Sequence, residues 1–343
     1  MKRYFSNAPF DNSICSIYGN LYKSHTNSKV FIISDGNDLE RSVFLNEIVK
    51  LESNNATIFT PFYDNNPDGI YLENYDTFIL SDGGYNHIAP ILPNIFEKYI
   101  SIAPEKNYNA ELKSKIISKK NEEFLNYKNA FFHLKNGGFY KISAIKLLSP
   151  FVNHKKVASF IDNTILENFN DTTKGEFEFR LLSSVTPLGF KTYFDTIFDI
   201  CNKHIVIEDE VGLIGSIILN IIKLYAVKNK IPLIMSPTYY EKNSAQILLL
   251  PSIKLSYIIE DFCHSVPFKA TERILASSFL NKIPLKTENE MAKNLKMEFC
   301  CLDNATKFLF AGREKRFDID FLEDEFTHIK FAKEKSHNFL KNL

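Results

Sequence analysis

The sequence predicts an α/β protein built as two tandem units, and three observations carry that expectation. The apolar run Val30-Phe31-Ile32-Ile33 stops at Ser34-Asp35-Gly36, and an amphipathic pattern resumes at Val43, Phe44, Leu45 and Ile48. That order reads as strand, tight loop and helix. The order recurs over residues 204–222, HIVIEDEVGLIGSIILNII, at a constant offset of 174: Asp209 matches Asp35, Leu213 matches Leu39, Ser216 matches Ser42 and Ile222 matches Ile48. A fixed offset with the same order of elements points to duplication. Finally, residues 77–80 form a continuous apolar run, the mark of a strand buried on both faces of a parallel sheet, and two such runs end in acid, at Asp82 and Glu260. Strands alternating with helices imply right-handed βαβ crossovers.

Taken in order, Ile14, Ile17, Tyr18 and Leu21 form a short helical pattern ahead of the first strand. Residues 56–60 read as a strand stopped by Pro61, and 64–69 as a dense turn cluster. Ile70-Tyr71-Leu72 reads as a short strand or a sheet edge. Residues 109–153 turn helical and charged, and Gly137-Gly138 divides them into a helical hairpin. The linker is softest over 163–175. The expected units are therefore 1–155, with a hairpin near 105–153, and 156–343, with C-terminal helices near 285–343.

A chain of 343 residues suffices for two cores, and a hydrophobic fraction of 45% with 24% charged residues suits a globular protein. Zero formal net charge argues against nucleic acid or an anionic membrane as a general partner. Five cysteines without C-x-x-C spacing, behind the polar start MKRYFSNAPF, lead us to expect reduced thiols in the cytoplasm. The longest apolar run, near 211–222, is shorter than the roughly 20 residues a bilayer requires.

The chemistry-bearing stretch is the loop at 35–42. A phosphate loop reads G-x-x-x-x-G-K-[ST], because glycines let backbone N–H groups converge on oxygens while Lys neutralises the phosphates and Ser or Thr holds Mg²⁺. Here Asp35 and Glu40 stand at the glycine places and Arg41-Ser42 at Lys-Ser, with Gly36 inside the loop. A residue forced to positive φ at position 40 would cost about 1–2 kcal/mol, and its carboxylate would repel a phosphate. Ser42 and Asp82 remain as a Mg²⁺ pair. In the second half Ile214 stands for the glycine and Gly215 for the lysine, leaving Gly212, Gly215, Ser216 and Glu260, or its neighbour Asp261, around a loop without a cation. Cys263-His264 lacks a third group for nucleophilic catalysis, and no zinc spacing appears.

Arg3-Tyr4-Phe5, the 30–48 stretch and Ser81-Asp82-Gly83-Gly84-Tyr85-Asn86-His87 before Ile88-Ala89-Pro90 together resemble a family of uncharacterised low-GC bacterial proteins. That family carries two tandem P-loop NTPase-like domains and is usually labelled predicted ATPase or nucleotide kinase. Its intact loop reads roughly LKGGPGTGKST, and a later strand ends VDGTAPHVIEP. The resemblance covers both halves and implies parallel sheets, ATP with Mg²⁺ as ligand, and a site role for Asp82 and His87. The catalytic letters depart from the family, which favours a degenerate protein that requires no cofactor. Three readings stay open: a binding or scaffold module with an unknown protein partner or a second copy of itself, an ATPase or kinase with an unconventional Arg41-Ser42 loop, and a nucleotide-sensing pseudo-enzyme.

Overall fold

The computed structural model describes residues 1–343 apart from 11–12, 22–26, 53–54, 87, 89–95 and 170–173. The first half contains β1 (Arg3–Phe5), β2 (Asn7–Pro9), β3 (Ile14–Ser16), α1 (Tyr18–Leu21), β4 (Lys29–Ile33), α2 (Asp38–Leu51), β5 (Ala56–Thr60), β6 (Gly69–Leu72), β7 (Thr77–Ser81), β8 (Glu97–Ile100), α3 (Ala110–Leu148) and α4 (His154–Asn168). The second half repeats the order: β9 (Phe177–Phe179), β10 (Ser183–Thr186), β11 (Gly189–Thr192), α5 (Phe194–Ile200), β12 (Lys203–Glu208), α6 (Leu213–Lys228), β13 (Leu233–Pro237), β14 (Ala245–Leu250), β15 (Leu255–Glu260), β16 (Glu272–Leu275), α7 (Leu285–Glu323) and α8 (Ile329–Lys341).

The sheets run β1-β5-β6-β7-β4-β8 and β9-β13-β14-β15-β12-β16, one topology used twice. β4 lies parallel to β7 and β8, and β12 to β15 and β16. The class is α/β, but the sheets are mixed rather than parallel: β6 is antiparallel to both neighbours, as is β14. The links explain this. Eight residues join β5 to β6 and four join β6 to β7, too few for a parallel crossover of a dozen or more. Residues 70–72 thus belong to an interior strand rather than an edge. Ile14 begins a strand, and among the described residues of this stretch the helix is Tyr18–Leu21.

Period-two alternation decides which way each strand faces. Val30 and Ile32 join Phe59, Phe78 and Leu80, and meet Val206, Ile247 and Ile258 from the second sheet in one shared core. Ile33 packs on the opposite face with Phe44, Leu45 and Ile48 of α2. α8, from the far end of the chain, completes that layer with Ala332 and Phe339. Reciprocally, Val157 and Ile161 of α4 cover Ile218, Leu219 and Ile222 of α6. Each sheet is therefore roofed by one helix of its own half and one of the other.

The expected hairpin split at Gly137-Gly138 does not occur. α3 is one helix of 39 residues, as is α7, each about 58 Å long at 1.5 Å per residue. They pair antiparallel, Glu123 meeting Arg316 and Lys141 meeting Glu298. The glycines serve close packing. A Cβ on Gly137 would lie 3.4 Å from Cys301 Cβ, and one on Gly138 would lie 3.1 Å from Tyr240 Cβ.

Candidate functional site

The loop after β4 is short because α2 begins at Asp38, inside the expected phosphate pattern. Glu40 consequently sits in the first helical turn and not at positive φ; Gly36, at +80°, is the left-handed residue of this loop. Asn37 and Glu40 form a capping box: Asn37 Oδ1 accepts from Glu40 N–H at 3.0 Å and Glu40 Oε2 accepts from Asn37 N–H at 2.8 Å. The fully buried Glu40 carboxylate also binds Lys106 Nζ at 2.6 Å and accepts from the His328 N–H at 2.7 Å, which fixes the start of α8. The expectation of a carboxylate merely repelling phosphate is thus corrected: Glu40 is an anchor.

Arg41 is spent on backbone. Its Nη2 and Nε donate to Gly36 C=O at 2.7 and 3.0 Å, and Nη1 donates to Asp82 C=O at 3.2 Å. Asp35 accepts from the Ile102 N–H at 2.7 Å and from the Ser101 hydroxyl. Asp82 follows β7 as expected, yet its carboxylate accepts from the Ile88 N–H at 3.2 Å and closes its own turn. Ser42 lines a cavity of about 280 Å³ with Asp38, Asp64 and Asp68. The turn contact engages one oxygen of the carboxylate expected to hold Mg²⁺ with Ser42. His87 lies outside the described residues.

Beside this loop opens a cavity of about 740 Å³, walled by Gly36, Asn37, Asp38 and Arg41, by Tyr85, Lys106 and Tyr108, and by Lys120, Glu123 and Arg316 of the two long helices. Arg316 belongs to the second half but completes the first-half site. It donates to Glu123 Oε1 at 2.8 Å, pairs with Asp38 and stacks 4.3 Å over the Tyr63 ring. Burial alone would raise the Asp38 pKa, but Arg316, Arg41 and Lys120 outweigh it and hold the carboxyl below its usual range. Burial raises that of Glu123, against the pull of Arg316.

The second-half loop is filled from within. Asp209 is buried, and its two oxygens accept from the Gly212 and Gly215 N–H groups at 2.9 Å each, so a carboxylate already occupies the amide nest at the start of α6. Burial raises its pKa, while those N–H groups and Lys141 lower it. Gly212 takes φ +78° at the helix cap. A Cβ on Gly215 would strike Ile259 at 2.8 Å. Ser216 meets Ser244 at 3.4 Å. Glu260 is drawn away from the loop: it pairs with Arg273 and accepts from the Val266 N–H.

Lys141 of the first half enters this second site, fully buried, 3.0 Å from Asp261 and 3.4 Å from Glu298, which also accepts from Tyr239 OH at 2.8 Å. Burial would lower the Lys141 pKa, but the two carboxylates raise it above the ordinary lysine value. His264 is buried between Gln246, the Ile259 carbonyl and Thr192, and burial raises the Cys263 thiol pKa, which disfavours the thiolate that a nucleophile needs.

Glu123 and Glu298 are 175 residues apart, as are Lys141 and Arg316. Each half thus lends a cation to the other half's site, where it meets a glutamate of the recipient. Motif matching missed all four residues. The signal was the repeat itself, continued into the helices with a one-residue shift.

The loops do not fit a Mg²⁺-bound nucleoside triphosphate. The second nest holds a carboxylate, the first helix start is capped by Asn37 and Glu40, and the cation beside Ser42 is engaged with Gly36. No family model matches the chain, nor does any curated protein or solved structure.

Proposed function

We propose that this protein is a degenerate P-loop-like binding module, with no turnover of nucleoside triphosphate, whose ligand chemistry centres on the first-half cavity. The supporting observation is Asp209. Its carboxylate takes the two amides that a phosphate would need, and no rearrangement short of extracting that buried side chain frees them. The cavity has the size of a small-molecule site and mixes Lys120, Arg316, Glu123 and Asp38 with two tyrosines, a lining suited to a small polar ligand of mixed charge. The Asp82 and Ser42 positions then serve the turn and the smaller cavity.

A second reading, a nucleotide-sensing pseudo-enzyme, draws on Lys120 and Arg316 at the cavity wall, where they would meet phosphates away from the loop. Thermal melting with and without Mg-ATP separates the two. We expect no shift for the unmodified protein and a phosphate-dependent shift for Asp209→Ala, whose opened nest gains a ligand that binds only the folded state. Saturable stabilisation of the unmodified protein at micromolar Mg-ATP, lost in Arg41→Ala, would overturn the proposal and favour an enzyme. Stabilisation lost in Lys120→Ala but kept in Arg41→Ala would favour the sensor.

A further inference from the structure

A cavity of about 400 Å³ lies between the two halves, and it shares no lining residue with the large cavity beside residues 35–42. Its floor comes from the first sheet. Thr57 and Phe59 point the same way along β5 by period-two alternation, and Tyr4, Tyr71 and Phe78 join them from β1, β6 and β7. The second half closes it with Ile200, Ile234 and Pro251. Thr57 and Phe78 each stand second in their strands, and β5 and β7 run in the same direction as β4. The cavity therefore lies toward the sheet edge opposite the 35–42 loop, which follows the end of β4.

Two of these side chains carry hydroxyls that the protein does not use. Tyr4 is 3% exposed and Thr57 is 7% exposed, and among the described residues neither hydroxyl has a hydrogen-bond partner. Both side chains line the cavity, and neither hydroxyl is sealed from it. A buried hydroxyl is costly unless something pairs with it. Burial raises the Tyr4 pKa, against the pull of Arg180, so at neutral pH that oxygen keeps its proton and can donate; Thr57 can donate or accept. The rings beside them are already arranged for aromatic contact. Tyr4 and Phe59 stack with centroids 6.2 Å apart, and Tyr71 and Phe78 stack at 4.4 Å. The charged groups at the cavity are matched among themselves: Lys2 with Glu73 at 3.0 Å, Arg180 with Glu178 at 2.7 Å, and Asp199 with the Met1 amino group at 3.0 Å. None of them is left to select a charged ligand.

We propose that this cavity binds a neutral, planar aromatic molecule of one or two rings with a polar edge, the rings lying against Phe59 and Phe78 and the edge reaching the hydroxyls of Tyr4 and Thr57. The site goes beyond the ligand chemistry of the first-half loop, because it is built from other residues at the other end of the strands.

Isothermal titration calorimetry of the full chain with 2-naphthol at pH 7 tests this. We expect one site with a dissociation constant of about 100 µM or below, within reach of a ligand of this size. Tyr4→Phe with Thr57→Val removes both hydroxyls and keeps the shape of the pocket. That variant should bind at least about tenfold more weakly and melt no lower than the unmodified protein, since no protein hydrogen bond is lost. 2-Naphthoate should bind the unmodified protein about tenfold or more weakly than 2-naphthol, because its carboxylate finds no unpaired cation. Lack of saturable binding by 2-naphthol refutes the proposal, as does an affinity unchanged in the hydroxyl variant. Equal or tighter binding of 2-naphthoate refutes the neutral ligand class. A hydroxyl variant that melts several degrees lower would show that the hydroxyls have partners within the protein, which removes the premise. Binding abolished by Lys120→Ala but kept in the hydroxyl variant would put 2-naphthol in the larger cavity and overturn the assignment.

Discussion

Replacing Lys141 by methionine should cost this protein more stability than the same change at Arg316, although the two residues hold equivalent places in the repeat. Lys141 has no exposed surface and lies 3.0 and 3.4 Å from two carboxylates that are themselves buried. Methionine fills a similar volume, so the loss is electrostatic. Removing one partner from a buried ion pair typically costs about 3–5 kcal/mol, because the remaining charge is stranded. Here Asp261 keeps N–H bonds from Cys263 and His264, each 2.9 Å, and Glu298 keeps Tyr239, which places the loss nearer the lower figure. Arg316 adjoins the large cavity, and its partner Asp38 is partly exposed; about 1–2 kcal/mol follows for Arg316→Met, between the values for exposed and fully buried pairs. Unfolding entropy of about 2.1 cal/mol/K per residue gives about 0.7 kcal/mol/K for 343 residues. The expected shifts in Tm are then about 4–7 °C for Lys141→Met and about 1–3 °C for Arg316→Met if the chain melts as one unit. Glu298→Gln added to Lys141→Met should recover part of the loss, because one stranded charge is gone. Scanning calorimetry measures all three. If Lys141→Met melts within a degree of the unmodified protein, or Arg316→Met is the more damaging, the closed-site and open-site distinction is wrong.

Restoring the phosphate-loop letters in the first half, Asp35→Gly with Glu40→Gly and Arg41→Lys, should destabilise by at least about 2 kcal/mol, since it strands Lys106 and the His328 N–H; a variant that melts no lower and gains Mg-ATP stabilisation would contradict the anchor role of Glu40. Burial pushes Asp68 up to about 7, against hydrogen bonds from Tyr18, Ser6 and Asn86, whereas its ordinary value is 3.8. The folded state therefore binds the proton more tightly, so stability falls as pH rises from 3.8 to about 7 and is level above. Burial likewise raises Asp320 to about 7, so the readout is the difference between the unmodified protein and Asp68→Asn, which should grow in the variant's favour up to neutral pH in melts at several pH values. Gly312→Ala should cost about 1–3 kcal/mol because its Cβ would fall 2.3 Å from Tyr127 Cε1, while Gly137→Ala, at 3.4 Å from Cys301 Cβ, should be neutral or gain up to about 1 kcal/mol of helix propensity; urea titrations rank the two.

Local chemistry alone settled a good part of this protein. The alternation at Val30 to Ile33, the spacing of Phe44, Leu45 and Ile48, and the fixed offset to the second half gave two α/β units, because side-chain periodicity reports directly on strand and helix geometry. The Asn37-x-x-Glu40 capping box was equally legible, but the same letters, taken as a damaged phosphate loop, put Glu40 at a strained loop position and hid its capping role. Likewise the short links around residues 69–72 already demanded antiparallel neighbours. Only the tertiary structure decided the rest. Nothing local to Gly137-Gly138 distinguishes a helix break from a close helix crossing, and the difference lies in Cys301 and Tyr240 on distant segments. Nor could local pattern show that α4 and α8 roof each other's sheets, or that Lys141 and Arg316 complete sites in the opposite halves. Those pairings arise when segments far apart in the chain are brought together, 120 residues for Lys141 with Asp261 and 278 for Arg316 with Asp38. A buried charge must then find its partner wherever packing places one, and the sequence around it carries no trace of which partner that is.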